Sequence, residues 1–175
     1  MHVHRFEKLW IGLSLLLIAA FIGIVLFGFT VMNLKVPGVE TGETVDPATV
    51  LSEGPFAKPG VRKISDDHYE VYMLAQQFIF RPGSTRPLTL PADTKITFHM
   101  TSPDVMHGFE VPGSGLNSTV IPGQVAEITV TFDEPGTHHI VCNEYCGAAH
   151  HTMRGTVEVV PSDQFDQQSQ EVTEE

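Results

Sequence analysis

From Leu9 to Met32 the chain runs for 24 residues without a charged side chain, in a stretch dominated by Leu, Ile, Val, Phe and Ala. A helix rises about 1.5 Å per residue and a hydrocarbon core is roughly 30 Å thick, so residues 9–32 are long enough to span a bilayer. A secretory signal has a shorter apolar core, about 7–15 residues, followed by a small-residue cleavage motif. No such motif follows here, and the pattern predicts a retained transmembrane helix. The pattern then breaks. Residues 33–65 carry Pro37, Gly38, Gly42, Pro47, Gly54, Pro55, Pro59 and Gly60 and read as an extended linker. Within it, Asp46 followed by Pro47 is a good helix start, which predicts a short helix at Asp46–Leu51.

From Tyr69 onward apolar and polar positions alternate. Ile96, Phe98 and Met100 share one face against Lys95, Thr97 and His99, and Ile128, Val130 and Phe132 oppose Thr129, Thr131 and Asp133. A period of two marks half-buried strands. Pro82-Gly83, Pro112-Gly113, Pro122-Gly123 and Pro135-Gly136 punctuate them, and no long helical period intervenes. The expectation for residues 66–160 is therefore an all-β domain, a small antiparallel sandwich. Residues 161–175 turn to Gln, Ser, Asp and Glu and predict an acidic tail with too few apolar groups to order itself.

Charge sets the orientation. Arg5 and Lys8 precede the apolar run, whereas Lys35 is followed by Glu40, Glu43 and Asp46. The positive-inside bias then places residues 1–8 in the cytoplasm and everything beyond the helix outside the cell membrane. That outer part holds eight of the ten Lys and Arg but 20 of the 21 Asp and Glu, a net charge of −12. Such a surface argues against nucleic acid as a partner. It would steer a basic soluble partner, or simply keep the domain soluble.

Both cysteines lie in Cys142-Asn143-Glu144-Tyr145-Cys146, followed by His150, His151 and Met153. Thiolate and thioether are soft donors suited to copper, and imidazole tolerates it. One thiolate suffices for a single copper, so the second points to two metals sharing sulfur. A disulfide is the simplest rival in an exported domain, but a staple requires neither His150 nor Met153. Zinc is disfavoured because its structural sites pair cysteines with further Cys or His and have no use for methionine. A second imidazole is available at His107, in a loop after the strand ending near Met100, with Asp104 beside it as an acceptor for its other ring N–H. His151 competes with His150 on spacing alone. His99, His138 and His139 read as solvated, and Phe78 and Phe80 read as core, with a place beside the metal as the second reading.

Cys142 to Met153, with His107 upstream, resembles the CuA centre of subunit II of cytochrome c oxidases. The single apolar helix, Val45-Asp46-Pro47-Ala48-Thr49-Val50, Glu53-Gly54-Pro55 and Thr101-Ser102-Pro103-Asp104 resemble the short prokaryotic form found with B-type haem-copper oxidases. The resemblance implies a cupredoxin-like Greek-key β-sandwich. It implies a binuclear copper centre bridged by Cys142 and Cys146, with His107 and His150 each completing one copper, Met153 as a weak axial ligand and Glu144 giving its backbone carbonyl. It also implies a magnesium ion held by the Glu144 side chain at the boundary with subunit I. The chain would be the subunit through which electrons enter, from a soluble cytochrome c or small copper protein, on their way to the haems of subunit I. Where longer relatives place a tryptophan near the donor, this chain reads Gln76-Gln77-Phe78-Ile79-Phe80, and Trp10 lies in the apolar helix.

Three other readings differ in testable ways. A membrane nitric oxide reductase subunit would share the copper pair and differ in its catalytic partner. A membrane-anchored copper carrier would hold one exchangeable copper. A quinol oxidase subunit II would lack the ligands that are present here.

Overall fold

The computed structural model describes residues 4–32 and 42–165. The chain divides into two units, Met1–Val36 and Pro37–Glu175. Among the described residues the first contains one helix, α1 (Arg5–Thr30), which starts four residues before the charge-free run. Its N-terminus explains the extension. The His4 ring accepts from the Phe6 N–H, and Glu7 accepts from the His4 N–H, a reciprocal cap that satisfies two orphan donors. Beyond the cap its large apolar side chains are exposed, and the helix is apolar all round, as a membrane-spanning helix is.

Among the described residues the second unit is a β-sandwich of ten strands: β1 (Gly60–Ser65), β2 (His68–Gln76), β3 (Ile79–Arg81), β4 (Leu88–Pro91), β5 (Lys95–Thr101), β6 (His107–Val111), β7 (Leu116–Val120), β8 (Ala126–Thr131), β9 (Gly136–Val141) and β10 (Arg154–Val160). One sheet has the order β1-β2-β5-β8, with β3 also paired to β2, and the other has the order β4-β10-β9-β6-β7. The sandwich and its alternation agree with the sequence reading, but the pairing is not wholly antiparallel. β2 runs parallel to β5, with Val71 opposite Phe98, and β4 runs parallel to β10. These crossovers link distant segments, so the local spacing of turns carries no signal for them.

Val71, Met73, Ile96, Phe98 and Met100 from one sheet meet Phe109, Val111, Leu116, Ile140, Val157 and Val159 from the other. Phe109 binds the layers together, with ring centroids 5.7 Å from both Phe80 and Phe98. Each such aromatic, fully buried, contributes roughly 1.5–3 kcal/mol of transfer free energy. This core lies directly beneath the metal-donor loops described below and fixes the strands that carry them.

The outer face of the first sheet corrects two expectations. Of residues 33–65, expected to be a linker with a short helix, the described part, 42–65, is folded. Val50 and Phe56 are buried against Leu74 and Val125 in a second apolar cluster, and β1 occupies the end of the same stretch. Backbone bonds from Val45 N–H to Gly123 O (3.2 Å) and from Val125 N–H to Glu43 O (3.1 Å) strap this segment to the domain. Asp46 does cap, accepting from the Ala48 N–H at 2.9 Å, but only consecutive turns follow, and the one short 3-10 turn is Pro55–Ala57. Single helical turns close at the predicted start, with Val50 N–H to Asp46 O at 2.9 Å and Glu53 N–H to Thr49 O at 2.9 Å, but they do not continue as a helix.

His99, expected to be solvated, is buried. It stacks on Tyr72 at 4.8 Å between Glu70 and Glu127, each 3.7 Å from a ring nitrogen. Tyr72 in turn packs edge-on against Phe56. His99 does point outward, but the strap covers this face. His138 is half-buried beside Phe132, and His139 is exposed. At the C-terminal end Phe165 packs on Tyr69, and the rest of the expected acidic tail, 166–175, lies outside the described residues.

Candidate metal centre

Two loops at one end of the sandwich bring the donors together. The first connects β5 to β6 and delivers His107 as the opening residue of β6, fully buried. The second is the hairpin end between β9 and β10, whose base is closed by the pair Val141–Arg154 and by the Cys142 N–H to Met153 O bond of 3.4 Å. That closure returns Met153 to the side of Cys142. Between them Gly147 adopts φ +135°, a backbone that L side chains rarely take. The turn it allows leads into the 3-10 turn His150–Thr152, held by His150 N–H to Gly147 O (3.0 Å) and Met153 N–H to His150 O (3.0 Å).

The result is a compact cluster of soft donors. The ligand atoms of His107, Cys142 and Cys146 all lie within 4.8 Å of one another, and all three residues are buried. Both thiols are free, with Sγ atoms 3.8 Å apart, nearly twice the bonded S–S distance of about 2.05 Å. Cys146 Sγ lies 3.6 Å from His150 Nδ1 and 3.6 Å from Met153 Sδ, and Cys142 Sγ lies 3.2 Å from the Glu144 carbonyl oxygen. Every residue expected as a donor is therefore in the cluster, Glu144 through its backbone. His150, not His151, reaches the sulfurs; His151 and the Glu144 side chain are exposed.

His107 carries the most telling detail. Its Nε2 sits 2.8 Å from Asp104 Oδ1, while its buried Nδ1 has no hydrogen-bond partner. A buried, unpaired imidazole nitrogen is costly unless something else satisfies it. With the ring N–H on Nε2 and donated to that carboxylate, Nδ1 would present a lone pair to the sulfurs, the arrangement of a metal-ligating histidine. The donor set and this orphaned atom together fit a soft metal such as copper.

Electrostatics agree with a site built for a cation. Burial, and then the hydrogen bond and charge of Cys142, push the Cys146 thiol up to about 11, so metal must displace a proton to bind sulfur there. Burial would raise Asp104 too, but donors from the Gln77 N–H, His107, the Val105 N–H and the Ser102 hydroxyl outweigh it and hold the carboxyl below its ordinary value. A depressed carboxyl stabilises the fold above its unfolded-state pKa, so this contribution is lost as pH falls below about 4.

Sequence reading missed Gln77. Its backbone N–H donates to Asp104 Oδ2 at 2.8 Å, and its side-chain amide donates to the Cys146 carbonyl. It thus ties the histidine loop to the cysteine loop from a third segment, and no local spacing announces it. Next to it Phe78 packs on Gly147, where a built Cβ would fall 3.2 Å from the ring. Phe80 is core, and Phe78 packs both against that core and on Gly147 of the cysteine loop.

Asp104→Asn turns one carboxylate oxygen into an NH2 that faces either the Gln77 N–H or the His107 ring N–H. Losing a hydrogen-bond partner of a ligand costs about 10–100-fold in metal affinity. Competition against a chelator of known copper affinity should show that loss, and an unchanged affinity would contradict the role given to Asp104.

Comparison with known proteins decides the family. The family model for the periplasmic domain of cytochrome c oxidase subunit II matches residues 63–160. This chain belongs to the cytochrome c oxidase subunit II family. A cytochrome c oxidase subunit 2 of Thermus thermophilus is 39% identical over 156 residues, covering 88% of this chain and 91% of that protein. A second Thermus thermophilus subunit 2 is 44% identical over 119 residues, covering 67% of this chain and 86% of its own. Among solved structures, a chain of a heme-copper terminal oxidase dimer superposes with a TM-score of 0.68 at 30% identity, covering 89% of this chain and all of that one. The family match begins inside β1, in the stretch expected to be a linker, in keeping with that stretch being part of the domain.

Proposed function

We propose that this chain is the subunit through which electrons enter a terminal haem-copper oxidase, by way of a pair of copper ions held on Cys142, Cys146, His107, His150, Met153 and the Glu144 carbonyl. The observation that carries this reading is the convergence of two free thiols, one orphaned imidazole nitrogen, a second imidazole and a thioether in one buried cluster. A single copper would leave a thiolate unused.

Bound there, the copper pair supplies a one-electron couple whose charge change is shared by two metals and two sulfurs. The protein supplies burial and rigidity. Cys142, Cys146, Met153 and His107 exclude water, so little solvent has to reorganise when charge arrives. Asp104 and Gln77 hold the two loops in one frame, so the donors do not have to rearrange either.

In this reading α1 anchors the chain with its N-terminus in the cytoplasm and the copper domain outside. The donor is a soluble cytochrome c or small copper protein, and the acceptor is the haem of subunit I, where dioxygen is reduced. The Glu144 side chain, which is exposed, would in this reading help hold magnesium at the boundary with subunit I. The test uses the assembled oxidase. Mixing it with reduced cytochrome c should reduce the subunit I haems rapidly, and the same complex stripped of copper should not. Equal haem reduction in both would overturn the proposal.

Met153→Leu keeps the volume and removes the thioether. Axial ligands tune such sites more than they hold them, so both coppers should stay while the reduction potential moves. About 59 mV corresponds to tenfold in a one-electron equilibrium, and a shift of that order is expected in redox titration. Loss of all copper would contradict an axial role.

A further inference from the structure

One residue of the cysteine loop is no metal donor yet is bonded to two neighbouring strands. Asn143 follows Cys142 directly. Its Nδ2 donates to Glu110 Oε2 at 3.1 Å and to Asn117 Oδ1 at 3.1 Å. Glu110 and Asn117 face each other across the β6–β7 pair. Both amide hydrogens are thus used, one of them in a charge-assisted bond.

The strand pairing shows why this matters. β6 and β9 are in register at one pair only, Glu110 with Val141. Past Val141 the chain leaves the ladder and passes over Gly108, so close that a Cβ there would lie 2.8 Å from Asn143 N and 2.7 Å from Glu144 N. Gly108 is the neighbour of His107. The loop carrying Cys142 and Cys146 therefore lies flat on the strand that carries His107. Among the described residues the hydrogen bonds that tie its Asn143 to β6 and β7 are those two from the carboxamide.

We propose that Asn143 is a positioning residue: its carboxamide clamps the cysteine loop onto β6 and β7 and thereby sets the Cys142–His107 separation before metal arrives. The proposal rests on the copper reading above. It explains the residue type at this position. Asp offers no donor and would set a second carboxylate against Glu110, while Ser has one donor for two acceptors.

The test uses the full chain in detergent, loaded with copper, with copper release to a chelator followed in time. Asn143→Asp should release copper about tenfold faster, the cost of losing a partner that orients a ligand. Asn143→Asp combined with Glu110→Gln rebuilds a donor–acceptor pair in the opposite sense and should return release toward the unsubstituted rate. Asn143→Ala provides a second, uncharged variant. The thermal midpoint of the metal-free chain separates this role from a general loss of stability, which would lower the midpoint and leave release from the folded chain unchanged. Release unchanged in both single variants, or no recovery in the double variant, would overturn the clamp while leaving the copper pair standing. An unsubstituted chain that takes up no copper pair would overturn the reading beneath it as well.

Discussion

Replacing either Cys142 or Cys146 with serine should leave a folded domain that no longer holds a copper pair. The exchange is nearly isosteric, and the two cysteines lie at the edge of a large core cluster that also holds Phe109, Ile140 and Val157, so the loss of one sulfur leaves most of that packing in place. What is lost is a soft donor that ionises, exchanged for a hydroxyl that at neutral pH does not. Removing a partner that merely orients a ligand costs about 10–100-fold in metal affinity, so removing a sulfur that both metals would share in the proposed centre should exceed the upper end of that range. Copper content per chain should drop, and reduction of the subunit I haems by a soluble donor should fail. A Cys142→Ser or Cys146→Ser chain with unaltered copper content and unaltered haem reduction would remove the basis for a sulfur-bridged site.

Gly108→Ala should be nearly as damaging, although Gly108 touches no metal. The added methyl would lie 1.8 Å from Asn143 Oδ1, a side chain that could turn away only by giving up its bonds to Glu110 and Asn117, and 2.7 Å and 2.8 Å from two backbone nitrogens that cannot move independently. The cysteine loop must lift. Overpacking of this kind costs about 1–3 kcal/mol, and the strain falls on the contact that sets His107 against the sulfurs. The expected result is a lower unfolding midpoint in the metal-free chain together with faster loss of copper from the loaded one. A Gly108→Ala chain that matches the unsubstituted protein in both would show that the loop has slack the structure does not reveal.

The parts of the molecule that were legible in the sequence are those whose signal is local. The apolar helix announces itself in an uncharged run, β5 and β8 in strict alternation, and the metal donors in a twelve-residue stretch that spaces two cysteines, a histidine and a methionine. What escaped depends on distant segments. The strap of residues 42–57 is rich in Pro and Gly and reads as a linker, yet it buries Val50 and Phe56 because Leu74 and Val125 offer an apolar patch on the outer sheet face. His99 sits at a polar position of its strand and is buried by the ring of Tyr72. Gln77 lies 69 positions from the Cys146 carbonyl it bonds, and Asn143 lies 33 from Glu110. A hydrogen bond across such separations has no periodicity to betray it, so the groups that hold the ligands emerge only from the fold.

A chain that holds two copper ions on shared sulfur has a distinct signature in copper stoichiometry and electron paramagnetic resonance, measured on one full-length, copper-loaded sample. Two coppers per chain are expected, with one unpaired electron whose hyperfine pattern is split by two equivalent copper nuclei. One copper per chain with splitting from a single nucleus, or no copper and a Cys142–Cys146 disulfide, would contradict a pair on shared sulfur.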